Sequence, residues 1–111
     1  MGVTADFSVR VFANDPPPTT TVVLPSNNAS LTGTQYLDAT ASPGVTQVQF
    51  ELTGGTLSDA VIATATPTLY GWIASWNSTT VTDGVYTLSS VASYSGVVSG
   101  TSPGVTITVS N

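Results

Sequence analysis

The chain has 111 residues, the size of one domain, and no cysteine, so it folds without disulfides and holds no thiolate–metal site. Charged residues make up 6% of it, against roughly 25% in an average soluble domain. Arg10 is the only cation, there is no Lys or His, and the acids are Asp6, Asp15, Asp38, Glu51, Asp59 and Asp83, for a net charge of −5. This balance repels polyanions, which excludes nucleic acid and anionic membrane surfaces as partners. Solubility then rests on Ser, Thr, Asn and Gln, a texture that points to a secreted or cell-surface β protein.

No stretch of helical length shows a 3.6-residue apolar period, and no apolar run nears the roughly 20 residues of a membrane-spanning helix, so membrane insertion is not expected. Residues 3–12 alternate, with Val3, Ala5, Phe7, Val9 and Val11 against Thr4, Asp6, Ser8, Arg10 and Phe12, and read as one strand. Asn14-Asp15-Pro16-Pro17-Pro18-Thr19 follows; its prolines fix φ and remove donors, giving an extended linker. Residues 1–18 are therefore an N-terminal strand and Pro-rich linker, either the tail of a preceding domain or an extra edge strand. The apolar face of residues 3–12 is predicted to enter β-pairing and to support weak self-association.

Beyond the linker, short strands recur at sandwich spacing. They are expected over residues 20–24, 35–41, 45–52, 60–66, 69–77, 85–94 and 105–110, with Pro25-Ser26-Asn27-Asn28, Gly54-Gly55 and Pro67 as stops. In the third, Val48, Phe50 and Leu52 face one way and Gln47, Gln49 and Glu51 the other. Ser42-Pro43-Gly44-Val45-Thr46 recurs as Ser102-Pro103-Gly104-Val105-Thr106, which is turn chemistry used twice ahead of a strand. The fold class is all-β, a sandwich of about seven strands over residues 19–111 with an N-terminal extra strand; a small closed barrel is the structural alternative. The expected core is Leu37, Ala39, Val48, Phe50, Leu52, Ile62, Trp76, Tyr86, Leu88, Val105, Ile107 and Val109.

The stretch WNSTTVTDGVYTL, from Trp76 to Leu88, is the most specific in the chain. Asp83-Gly84 makes a turn and Tyr86 follows at a strand start, where a buried ring can send its hydroxyl back to the backbone and pin the corner between two strands. Together with PPPTTTVVLPSN, YLDATASPG, VTQVQFEL, LYGWIASWN and VTITVSN, this layout resembles the bacterial immunoglobulin-like domains of secreted and cell-surface multidomain proteins. The resemblance runs from Pro16 to Asn111. It implies an immunoglobulin-like β-sandwich, a structural corner at Asp83, Gly84 and Tyr86, and no shared catalytic residues. The segment between Ser95 and Gly104 departs from it, lacking the acidic D-x-x-G-N that often follows the sixth strand.

Catalysis is not expected, because a Ser or Thr nucleophile needs a base and the chain has no His or Lys side chain to act as one. No cofactor or metal is expected either: Asp15, Asp59 and Asp83 have no D-x-D spacing, and Asp59 and Asp83 read as turn formers. Tyr70, Trp72 and Trp76 fall on one face if residues 69–77 form one strand. Trp76 is assigned to the core, and Tyr70 and Trp72 are the candidate ligand-facing aromatics. The expected function is a non-catalytic spacer or repeat module among neighbouring domains of the same chain. The alternative is a recognition module for carbohydrate or protein, using an aromatic face or end loops.

Overall fold

In the computed structural model, residues 17–94 and 98–111 are described; the strand expected over residues 3–12 and its self-association lie outside them. Among the described residues, ten strands form two facing sheets. One has the order β1-β3-β7-β6, from β1 (Thr20–Leu24), β3 (Thr34–Ala41), β7 (Gly71–Asn77) and β6 (Thr66–Thr68). The other has the order β2-β10-β8-β4-β5, from β2 (Ala29–Leu31), β10 (Val105–Val109), β8 (Gly84–Tyr94), β4 (Gln47–Gly54) and β5 (Leu57–Thr64), with β9 (Val98–Thr101) also on β8. The pairing is antiparallel except between β2 and β10. Among the described residues, no helix is long and apolar enough to cross a membrane.

The period-2 pattern determines which side chains meet between the sheets. Val48, Phe50 and Leu52 point inward from β4, Leu37 and Ala39 from β3, and Leu88, Ile107 and Val109 from β8 and β10, all essentially without exposure. Trp76 and Tyr86 are buried with them, whereas Ile62 and Val105 lie at the margin, partly buried. Leu31, Ala65, Ala74 and Ala92 complete the buried set.

Three short strands go beyond the seven expected. Ala29–Leu31 follows the Pro-Ser-Asn-Asn stop at once, because Asn28 takes a positive φ of 69° and its N–H bonds the Thr106 carbonyl at 2.6 Å, placing the chain beside β10. Val98–Thr101 pairs with the last residues of β8. The strand expected over residues 60–66 instead runs from Leu57 to Thr64. The chain changes sheet at buried Ala65, whose N–H bonds the Val48 carbonyl at 2.8 Å, and Pro67 sits inside β6 rather than closing a strand. Its missing donor is tolerated there because β6 is an edge that pairs with β7 alone.

Both copies of the Ser-Pro-Gly-Val-Thr repeat use the serine hydroxyl as a backbone substitute. Ser42 Oγ accepts the Thr19 N–H at 3.0 Å, and Ser102 Oγ accepts the buried Ser90 N–H at 2.8 Å. The second bond fills the point on β8 where its partner changes from β10 to β9. Ser102→Ala is expected to leave the Ser90 N–H without a partner and to lower stability by about 1–3 kcal/mol; urea denaturation of the two proteins measures the loss.

Candidate functional site

Three groups of side chains carry the chemistry of this fold. The first lies at the start of β8. Tyr86 is 4% exposed; its hydroxyl donates to the Thr82 carbonyl at 2.6 Å and lies 3.1 Å from the Thr82 hydroxyl. Asp83, in the turn before Gly84, accepts the Asn111 N–H at 3.0 Å. The Asn111 side chain in turn accepts from the Gly33 N–H at 2.8 Å and from the Thr32 hydroxyl at 3.2 Å. Ser78, in the one-turn 3₁₀ helix Ser78–Thr80, donates to the Gly33 carbonyl at 2.8 Å. The end of the chain is thus fastened to the turn before β3 and to the turn before β8.

The second group is the aromatics, which do not form the expected row. The strand starts at Gly71, so Tyr70 sits in the turn between β6 and β7, 82% exposed. Trp72 stands opposite fully buried Ala39, is partly buried and packs against the core. Trp76 is buried. The exposed aromatic of the strands is Tyr36, 71% exposed on the outer side of β3.

The third group is the acids. Asp59 and Thr53 bond each other twice: the Thr53 hydroxyl donates to Asp59 Oδ1 at 3.2 Å and accepts the Asp59 N–H at 3.0 Å. Nearby Glu51 has its carboxyl raised above the ordinary value of 4.5, first by burial and then by repulsion from Asp59. Asp15 lies outside the described residues. Asp38 lies on the outer side of β3, is 9% exposed, and its Oδ1 is buried with no hydrogen-bond partner. A Cβ on Gly71, at φ +116°, would stand 2.6 Å from that oxygen, so the close approach requires glycine. Sequence reasoning singled out neither Tyr36 nor Asp38. The signal was the alternation in YLDATA, which puts both on the side opposite Leu37 and Ala39.

The family model of a bacterial Ig domain matches residues 18–89. The chain belongs to the bacterial Ig domain family. None of the curated proteins matches it. Among solved structures, this Ig domain resembles part of the endo-β-1,4-mannanase from Thermotoga petrophila, with a TM-score of 0.66 and 13% identity over 89% of this chain and 21% of that one. It also resembles the fibronectin(III)-like modules of Clostridium thermocellum CbhA, with a TM-score of 0.62 and 23% identity over 82% of this chain and 94% of that one. An engineered protein gives a TM-score of 0.62 and 18% identity over 85% of this chain and 20% of that one. These likenesses show the immunoglobulin-like sandwich.

Two measurements test the local chemistry of the Ig domain. Tyr86→Phe keeps the ring and removes its hydroxyl, and is expected to lower stability by about 0.5–1.5 kcal/mol in chemical denaturation. For Glu51, the folded chain keeps its proton to higher pH than the unfolded chain. Its contribution to stability is therefore full below 4.5 and falls as pH rises from there through the raised folded value. Glu51→Gln is expected to flatten that part of the stability profile in urea titrations run across the carboxyl range. A slope equal to the wild type's would assign the dependence to other groups.

Proposed function

We propose that this Ig domain is a non-catalytic spacer or repeat module of an extracellular multidomain protein, with neighbouring domains of the same chain as its partners. One observation carries the reading: the two termini of the sandwich are fastened at opposite ends of one strand. The Thr19 carbonyl accepts the Ser42 N–H at 2.9 Å just past β3, and Asn111 holds Gly33 just before it. Nine residues of extended chain separate these points, roughly 30 Å at about 3.3 Å per residue. Domains attached before residue 17 and after Asn111 would lie in line.

The N-terminal attachment is stiffened. Pro18 is buried, and its carbonyl lies so close to Gly100 of β9 that a Cβ there would overlap it. Pro17 and Pro18 restrict the backbone just outside, and a Pro-rich segment acts as a semi-rigid spacer. The Ser- and Thr-rich composition without Lys supports an extracellular setting, and the match to part of a mannanase chain supports a place inside larger proteins. A hydroxyl nucleophile in this chain has no His or Lys side chain to activate it, which supports a non-catalytic role.

The reading is tested with a series of one, two and three tandem copies of residues 1–111 in small-angle X-ray scattering. The maximum dimension is expected to grow by a constant increment per copy, as for rods. Growth that levels off, as for copies folded onto one another, would overturn the in-line spacer.

A further inference from the structure

Beyond separating its neighbours, we infer that the domain carries tension between them, and that a parallel seam formed by residues 27–33 and 106–111 bears it. This role rests on the in-line placement of the two termini.

Among the described residues, β2 and β10 form the one parallel pair, with Ala29, Ser30 and Leu31 beside Ile107, Thr108 and Val109. Three residues make a short ladder, but further bonds extend it at both ends. Before it, the Asn27 side chain accepts the Thr106 N–H at 2.9 Å, and the Asn28 N–H bonds the Thr106 carbonyl at 2.6 Å. Beyond it, the Ser110 N–H bonds the Leu31 carbonyl at 2.9 Å. The Asn111 side chain then accepts from the Gly33 N–H at 2.8 Å and from the Thr32 hydroxyl at 3.2 Å. Two asparagine carbonyls thus supply acceptors where the backbone ladder has ended. The Asp83 carboxylate, accepting the Asn111 N–H at 3.0 Å, fixes the last residue to the turn before β8. On the inner side Leu31, Ile107 and Val109 are buried, which shields the seam there from competing water.

The direction of pull makes this seam the critical one. A pull on Pro17 and Pro18 draws β1, and β2 behind it, toward the end of the sandwich where Ser42 lies. A pull on Asn111 draws β10 toward the opposite end. The seam therefore joins the two pulled segments to each other. Because they run parallel, β2 is pulled at its start and β10 at its end. The strands must slide past one another, and their bonds are strained together. A strand drawn sideways from its end would instead lose its bonds one at a time. β1 lies first on the N-terminal path, but its ladder on β3 is interrupted by the register shift between Val22 and Leu24. With no cysteine and one cation, the chain has no disulfide or ion-pair network to share the tension, which leaves it to hydrogen bonds. Resistance of this kind is set by the barrier to unfolding and is separate from equilibrium stability.

The test is forced unfolding of the full chain by single-molecule pulling. The chain lacks cysteine, so paired cysteine handles define the direction of pull. Handles at Pro17→Cys and at a cysteine appended after Asn111 strain the seam along its length. Handles at Thr56→Cys, in the turn between β4 and β5, and at the same appended cysteine draw β10 sideways from its end. The first pair is expected to need the higher force. Along that direction, Asn27→Ala and Asn111→Ala are each expected to speed unfolding about fivefold at a given force, the factor one hydrogen bond represents. Both asparagines are exposed, so neither truncation opens the core. Thr53→Ala removes two bonds between β4 and β5, outside the seam, and is expected to leave that rate unchanged. Equal forces in the two directions overturn the proposal. So does an unchanged rate in either asparagine variant, or an acceleration by Thr53→Ala as large as theirs. Rod-like growth of the tandem copies together with equal forces would keep the spacer and remove the seam. Growth that levels off would remove the pull between neighbours, and this role with it, whatever the forces.

Discussion

Everything in this fold hangs on the backbone pairing of β8. Its eleven residues bond β4 along one side; on the other they bond β10 first and β9 afterwards. With one cation and no cysteine in the whole chain, neither ion-pair networks nor covalent staples can compensate a broken ladder. The change of partner at Ser90 would leave a buried N–H bare, and Ser102 supplies its hydroxyl there. Ser90 also lies within a hydrogen bond, 2.8 Å, of the buried Thr20 hydroxyl of β1, a strand of the opposite sheet. A hydroxyl pair thus ties the two layers at a position where a charged pair would carry a heavy desolvation penalty. The abundance of Ser and Thr is part of how the molecule is held together, beyond keeping it in solution.

The same scarcity of charge shapes the sheet edges. Exposed edges are usually protected by lysines, and this chain has none. Register irregularities in β1, between Val22 and Leu24, and in the β4–β5 pair interrupt two of the ladders at the sheet margins. Pro67 stands in the short edge strand β6. Bulges, proline and short strands are the remaining devices against edge-to-edge association, and all three occur.

Much of this was legible in the sequence, for a physical reason: wherever one side of a strand is buried, alternation records it. β4 is the clearest case, with Val48, Phe50 and Leu52 inside and the Gln and Glu residues outside. Reading fails where three residues suffice. β2 is too short to show a period, and its place beside β10 is set by Asn28 and by the Asn27 side chain, which accepts the Thr106 N–H at 2.9 Å. β6 was misread because proline was taken as a stop, although only a central strand forbids it. The aromatics were misread because alternation was extended through Gly71, whose positive φ separates the turn carrying Tyr70 from the strand carrying Trp72. Pattern reading also favours what is buried, so Tyr36 and Asp38 went unremarked between the core residues of β3.

That oversight concerns the outer side of the four-stranded sheet. In-line attachment uses the two ends of the sandwich: the turn after β3 with Thr19, and the turns around Gly33 and Asp83 with Asn111. The inner sides of both sheets are spent on the core. This leaves the broad outer sides of the sheets free of both tasks. On the four-stranded sheet, the central strand β3 is supported by β1 and β7 through ladders on both sides, so its outward positions sit on rigid backbone. Tyr36 and Asp38 occupy two successive outward positions of that strand. A side chain can change there without disturbing either the core or the two points where the chain ends are fastened.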